Sequence, residues 1–103
     1  IVINKKMFGF QLDFKFHLCI ARASRNPLFA QVATLSSHEI EHSVLLARHL
    51  SNLKHVELSR TVYAEHLCVY EAIVSQDSAA AHKALLEHLE QGRKRMLQEL
   101  EAP

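Results

Sequence analysis

Histidine and carboxylate side chains carry the chemistry this chain could do, and four of them stand at spacings that helices would bring together. Asp13 and His17 are four residues apart in LDFKFH. On a helix, residues i and i+4 share a face, so a carboxylate oxygen and an imidazole nitrogen can point at one spot. His66 and His88 lie 11 residues to either side of Asp77. If Asp77 marks the turn of an antiparallel helical hairpin, both rings stand about 16 Å from that turn and are level across it. One carboxylate and three imidazoles form a set of hard and borderline donors suited to Zn²⁺, Ni²⁺, Co²⁺, Mn²⁺ or Fe²⁺, with positions left open on an octahedral ion. A lone histidine on an apolar stripe is ordinarily a hydrogen-bonded core residue. Three such positions and an aspartate would be costly to bury together without an ion. The expected metal ligands are Asp13, His17, His66 and His88, and the expected metal is zinc or nickel.

A second histidine pair competes for attention. Residues 38–42 read HEIEH, the pattern in which two histidines hold zinc and the glutamate is a general base. A zinc protease of that kind also needs a third zinc ligand and a substrate cleft, usually edged by a strand. This chain has later histidines, but no strand-rich half and little room for a cleft. Among eight histidines in a Glu-rich chain the five-letter match arises by chance. His38, Glu39, Glu41 and His42 are expected on a polar face, solvated or against a neighbouring subunit. A di-iron carboxylate bundle wants two E-x-x-H pairs, and Glu39–His42 is the single one. No nucleophile–base arrangement is identifiable, so no catalytic residues are assigned.

The elements that must position these side chains read as four helices. The first is expected over residues 7–24, with Phe10, Asp13, His17 and Ile20 on one stripe. It stops at SRNP, because the residue before a proline disfavours the helical region, while Asn26 and Pro27 suit the N-cap and N1 of the next helix. That second helix is expected from Pro27 to about His49, and SNLKHVEL reads as a loop. The third, over residues 58–75, carries Val62, His66, Val69 and Ile73 on one stripe. Asp77 then caps a fourth helix reaching about residue 100, with Ala81, Leu85, His88 and Gly92 in line. Phe8, Phe10, Phe14 and Phe16 occur at helical spacing and read as core, not as platforms for nucleic acid. The basic run GRKRM at 92–96 reads as a complement to the helix dipole.

Composition bounds the rest. The chain has 103 residues with 49% hydrophobic and 22% charged residues, 2 Gly, 2 Pro and no Trp. This is the balance of one helical domain or part of one. Twelve basic and 11 acidic residues give a net charge of +1, too balanced and too mixed to neutralise a run of phosphates, so DNA binding by this segment alone is not expected. Cys19 and Cys68 lack a CxxC partner and read as two buried thiols of a cytoplasmic protein. No apolar run approaches the ~20 residues of a membrane span, and no signal peptide is visible. The chain opens Ile-Val-Ile without an initiator Met, as a processed chain or a piece of a longer one would.

Two longer stretches carry a resemblance. LDFKFHLCIARASRNPLF resembles the D-x-x-F-H…A-S-x-N-P segment of the FCD domain, and EHLCVYEAIVSQDSAAAHKALLEHL resembles its later E-H-x-x-I…A-I…D…A…H-L segment. FCD domains are the effector-binding and dimerisation modules of FadR-like, GntR-type bacterial transcription regulators. The resemblance covers residues 10–100 and implies an all-α antiparallel bundle, of which about four helices are present. It implies Asp13, His17, His66 and His88 as the family's metal ligands, and a small organic acid as effector, bound through its carboxylate. It also implies that the winged-helix DNA-binding domain and the opening helices of the FCD domain lie outside this sequence, with DNA bound only through the former.

The sequence is accordingly read as the metal-containing sensing and dimerisation part of such a regulator, without catalysis. The alternative is a small helical metalloenzyme, a hydrolase using metal-bound water. A third reading is a structural bundle with packed histidines. Tyr63 and Tyr70, flanking His66, are candidates for the effector pocket but poor bases at neutral pH. Apolar residues on the first two helices (Phe8, Phe16, Leu28, Val32 and Leu35) are expected to be covered by a second copy in a homodimer or higher oligomer.

Overall fold

The structure is a computed structural model that describes residues 5–39, 41–42, 46 and 55–101. Among the described residues every regular element is helical and none is a strand, as expected for an all-α chain. The chain divides into two compact units, Ile1–Leu46 and Ala47–Pro103.

The first unit holds α1 (Lys5–Ala23) and α2 (Pro27–Leu35). The corner between them is built from side-chain chemistry local to SRNP. Arg25 takes the left-handed region at φ 61° and its N–H bonds to the Arg22 carbonyl at 3.1 Å, the geometry of a helix C-terminus. Ser24 Oγ donates to the Ala21 carbonyl at 2.6 Å and accepts the Asn26 N–H at 3.2 Å. Asn26 Oδ1 then accepts the Leu28 N–H at 3.1 Å, with Pro27 in the first helical position. The second helix is shorter than its expected run to His49. It closes at Ser36, whose N–H bonds to the Val32 carbonyl at 2.9 Å, and residues 37–39 and 41–42 are helical again beyond the turn. Paired serines favour such a break because their hydroxyls compete for backbone partners. The rest of that expected helix, residues 43–45 and 47–49, lies outside the described residues. No residue of α2 is buried; Leu28, Phe29, Val32 and Leu35 are all exposed.

The second unit is a helical hairpin of α3 (His55–Val74) and α4 (Ser78–Glu101). The turn is a Schellman closure followed at once by an N-cap. Gln76, at φ 57°, donates to the Ile73 carbonyl at 2.9 Å and Asp77 donates to the Ala72 carbonyl at 3.0 Å. Asp77 Oδ1 accepts the Ala80 N–H at 3.0 Å, satisfying a donor that α4 would otherwise leave open. The loop expected over SNLKHVEL is helical from His55 onward. Leu58, which is 4% exposed, draws this first turn into the core, and Glu57 complements the helix N-terminus.

Burial defines the inner face of α3 more sharply than the sequence stripe did. Leu58, Val69 and Ala72 are buried, and Val62 and Glu65 are partly buried. These five positions step by four and three, the spacing of a packed helix seam. Ile73, expected on that stripe, is 44% exposed. No helix among the described residues is long and apolar enough to cross a membrane.

Candidate metal centre

In the first unit, α1 places Asp13 and His17 one turn apart, and the Asp13 carboxylate oxygen Oδ1 lies 3.3 Å from His17 Nε2. Both side chains are partly sheltered, at 13% and 30% exposure. A carboxylate beside an imidazole at this distance serves equally as an ion pair with the protonated ring or as two donors for one cation.

In the second unit, the hairpin brings His66 and His88 together as the symmetric spacing about Asp77 predicts. Their Nε2 atoms are 3.2 Å apart, and the rings meet edge-on with centroids 4.6 Å apart. His88 is the most deeply buried polar side chain among the described residues, at 7% exposure. The nitrogen spacing is a test of metal fit. Two nitrogens each about 2.1 Å from one ion lie about 3.0 Å apart at a right angle and about 3.4 Å apart at the tetrahedral angle. The observed separation of 3.2 Å falls between these, so the pair fits one transition-metal ion with small adjustment. The oxygen–nitrogen spacing in the Asp13–His17 pair falls in the same range.

Two further residues complete the second unit's cluster, and the sequence reading missed both. Glu65 Oε1 is 2.7 Å from His88 Nδ1. Arg95 donates to both carboxylate oxygens of Glu65, at 2.7 Å and 2.9 Å. Burial by itself would push the Glu65 carboxyl up, but hydrogen bonds from Arg95 and His88, with the charge of Arg95, outweigh it and hold it below the usual carboxylate range. Arg95 was read as part of a basic run serving the helix dipole. Its guanidinium instead reaches across the hairpin, while Arg93 pairs with Glu90 one turn back. The signal was present: three residues beyond Gly92, the stripe of Ala81, Leu85, His88 and Gly92 arrives at Arg95.

The remaining candidates lie elsewhere. Tyr63 and Tyr70 are 67% and 56% exposed on the flank of α3. Cys19 and Cys68, expected to be buried, are exposed free thiols; Cys68 sits off the covered seam of its helix. In HEIEH, His38, Glu39 and His42 are exposed and Glu41 is partly buried, in keeping with the expected polar face; Ile40 lies outside the described residues. Phe14 and Phe16 are partly buried, whereas the side chains of Phe8 and Phe10 lie outside the described ones.

Residues 6–91 match the family model described as FCD domain. The HTH-type transcriptional regulator LutR of Bacillus subtilis (strain 168) is 30% identical over 81 residues, covering 79% of this chain and 37% of that protein. No solved structure matches the chain.

Proposed function

The chain belongs to the FCD domain family, and from that premise we propose that it is the effector-sensing and dimerisation part of a FadR-like, GntR-type transcription regulator, built around a metal held by Asp13, His17, His66 and His88. The observation that carries the metal reading is the His66–His88 pair, two imidazole nitrogens at 3.2 Å in a hairpin whose turn fixes their level. Zinc or nickel suits three imidazoles and one carboxylate. When bound, the ion supplies a fixed positive charge with open positions that can draw in a carboxylate.

The chain's own residues set the selectivity of that site. Two neutral histidines on the hairpin add donors without charge, and Asp13 contributes one negative charge. A divalent ion in this set keeps net positive charge, which favours an anionic ligand; a small organic acid meets that requirement. Tyr63 and Tyr70 stay candidates for contacting the acid from the exposed flank of α3. The regulator reading draws on the relative's name, and in it DNA is contacted through a winged-helix domain of the regulator and not through the FCD domain. Effector binding then changes the relative population of DNA-competent and incompetent dimers. The protein works in the cytoplasm in this reading, and it has no catalytic role.

The test is metal content and thermal stability of protein purified without a metal-affinity column. Zinc at ~100 times its Kd stabilises a folded-state binder by about 2.7 kcal/mol. His66→Ala and His88→Ala should lose both the ion and this gain, and His38→Ala and His42→Ala should keep both. Loss of metal from the latter pair, with retention in His66→Ala, overturns the assignment.

A further inference from the structure

Glu65 neighbours His66 in sequence, yet its carboxylate faces His88. We propose that Glu65, clamped by Arg95, is the positioning residue of His88: it accepts a hydrogen bond from Nδ1–H and leaves the Nε2 lone pair turned toward the ion. The proposal rests on the metal reading above and adds to it which nitrogen of His88 binds, and why.

An ionised carboxylate only accepts hydrogen bonds, and a neutral imidazole has a single N–H. A contact of 2.7 Å between Oε1 and Nδ1 therefore puts the proton of neutral His88 on Nδ1. Its Nε2 must then be an acceptor, and this is the nitrogen 3.2 Å from His66 Nε2. With His88 neutral, the form in which an imidazole binds a metal, His66 donates its Nε2–H to His88 in the metal-free protein. The two rings are thus unequal: His88 is already in the ligand tautomer, whereas His66 must move its proton before its own Nε2 can bind. Carboxylate–imidazole pairs of this kind fix ring direction and raise ligand basicity.

Arg95 decides why Glu65 is a positioning residue and not a ligand. Its two N–H groups engage both carboxylate oxygens, at 2.7 Å and 2.9 Å, in a partly buried fork that is geometrically demanding to break. Turning either oxygen to an ion would strand the guanidinium, whose side chain is only 16% exposed.

Long-range ¹H–¹⁵N correlation spectra of histidine-labelled, metal-free protein read the tautomers directly. The expected result is Nδ1–H for His88 and Nε2–H for His66, with zinc titration changing the tautomer of His66 and leaving that of His88 unchanged. In parallel, Glu65→Ala should bind zinc about 10–100-fold more weakly and lose the preference at His88. Glu65→Gln keeps an oxygen that can accept the Nδ1–H hydrogen bond but sets its amide N–H against Arg95, and should recover part of both. Nε2–H on His88 in the wild type, or an unchanged zinc affinity in Glu65→Ala, overturns the proposal. The wild-type spectrum decides even if the alanine variant fails to fold. Should the wild type take up no zinc, the metal reading fails, and the tautomer measurement still settles which nitrogen of His88 carries the proton facing Glu65.

Discussion

Replacing Arg95 with Met removes the guanidinium while keeping much of its length and apolar stem, so the variant isolates the charge from the packing. Arg95 makes two hydrogen bonds to Glu65, and hydrogen bonds involving a charged group contribute about 1.5–3 kcal/mol each. Two effects reduce the sum. The paired side chains retain 16% and 18% exposure, which screens them, and His88 remains as a second donor to the same carboxylate. The expected cost at neutral pH is about 2 kcal/mol, below the roughly 3–5 kcal/mol of breaking a fully buried pair. Its pH dependence has a definite sign. The Glu65 carboxyl is held below its ordinary value of 4.5, so its contribution is present above that value and is lost as pH falls through the lower folded value. Without Arg95, burial remains and the carboxyl moves back upward. The gap between wild type and variant should therefore narrow as pH is lowered through the carboxylate range. Urea unfolding of metal-free protein, followed by far-ultraviolet circular dichroism in pH steps, measures this. Adding Glu65→Gln to Arg95→Met should recover part of the loss, since it removes the stranded charge. A gap that stays constant across the pH series refutes the ion-pair account and assigns the loss to packing.

Val69 is 1% exposed in the hairpin core, and Val69→Ala should cost about 2 kcal/mol through two lost methyl groups and the cavity they leave. Gln76 holds φ at 57°, so Gln76→Gly should raise stability by about 0.5 kcal/mol, the left-handed strain relieved less the added chain entropy; unchanged or lower stability refutes this. Light scattering should report a dimer or larger assembly, since Leu28, Phe29, Val32 and Leu35 of α2 are exposed; a micromolar monomer without dye-binding apolar surface argues against it. Zinc-loaded protein should hydrolyse peptide, ester and phosphate substrates no faster than free zinc does, and turnover abolished by Glu39→Ala would favour the metalloenzyme alternative.

The readable parts of the chain were those governed by local chemistry. Asn26–Pro27 and Asp77 announce helix starts, and the structure places an N-cap at each. The level pairing of His66 with His88 needed only the rise of a helix and the position of a turn. Glu65 and Arg95 escaped because they are 30 residues apart and their pairing depends on the rotation of one helix against the other. Hydrophobicity misled at Ile73, which pulled the inferred seam of α3 toward His66. The packed seam runs instead through Leu58, Val62, Glu65, Val69 and Ala72, placing a carboxylate in its middle. The serine break after α2 was equally hidden, since the preference of Ser36–Ser37 for ending a helix is weak beside the apolar periodicity around it.

The equal arms of the hairpin have a bearing on how such a chain can change by descent. His66 and His88 meet because each stands the same number of residues from Asp77. One residue inserted between the turn and either ring rotates that ring by about 100° and shifts it about 1.5 Å. The imidazole would leave the gap, and Glu65 or Arg95 would lose its partner with it. Point substitutions on the outer faces carry no such penalty. Length between turn and ring is therefore the constrained quantity here, and the letters on the outer faces are comparatively free. A change of length is tolerable only when both arms take it together: about one extra turn on each would carry the facing pair roughly 5.4 Å outward along the hairpin, with the two rings still opposed.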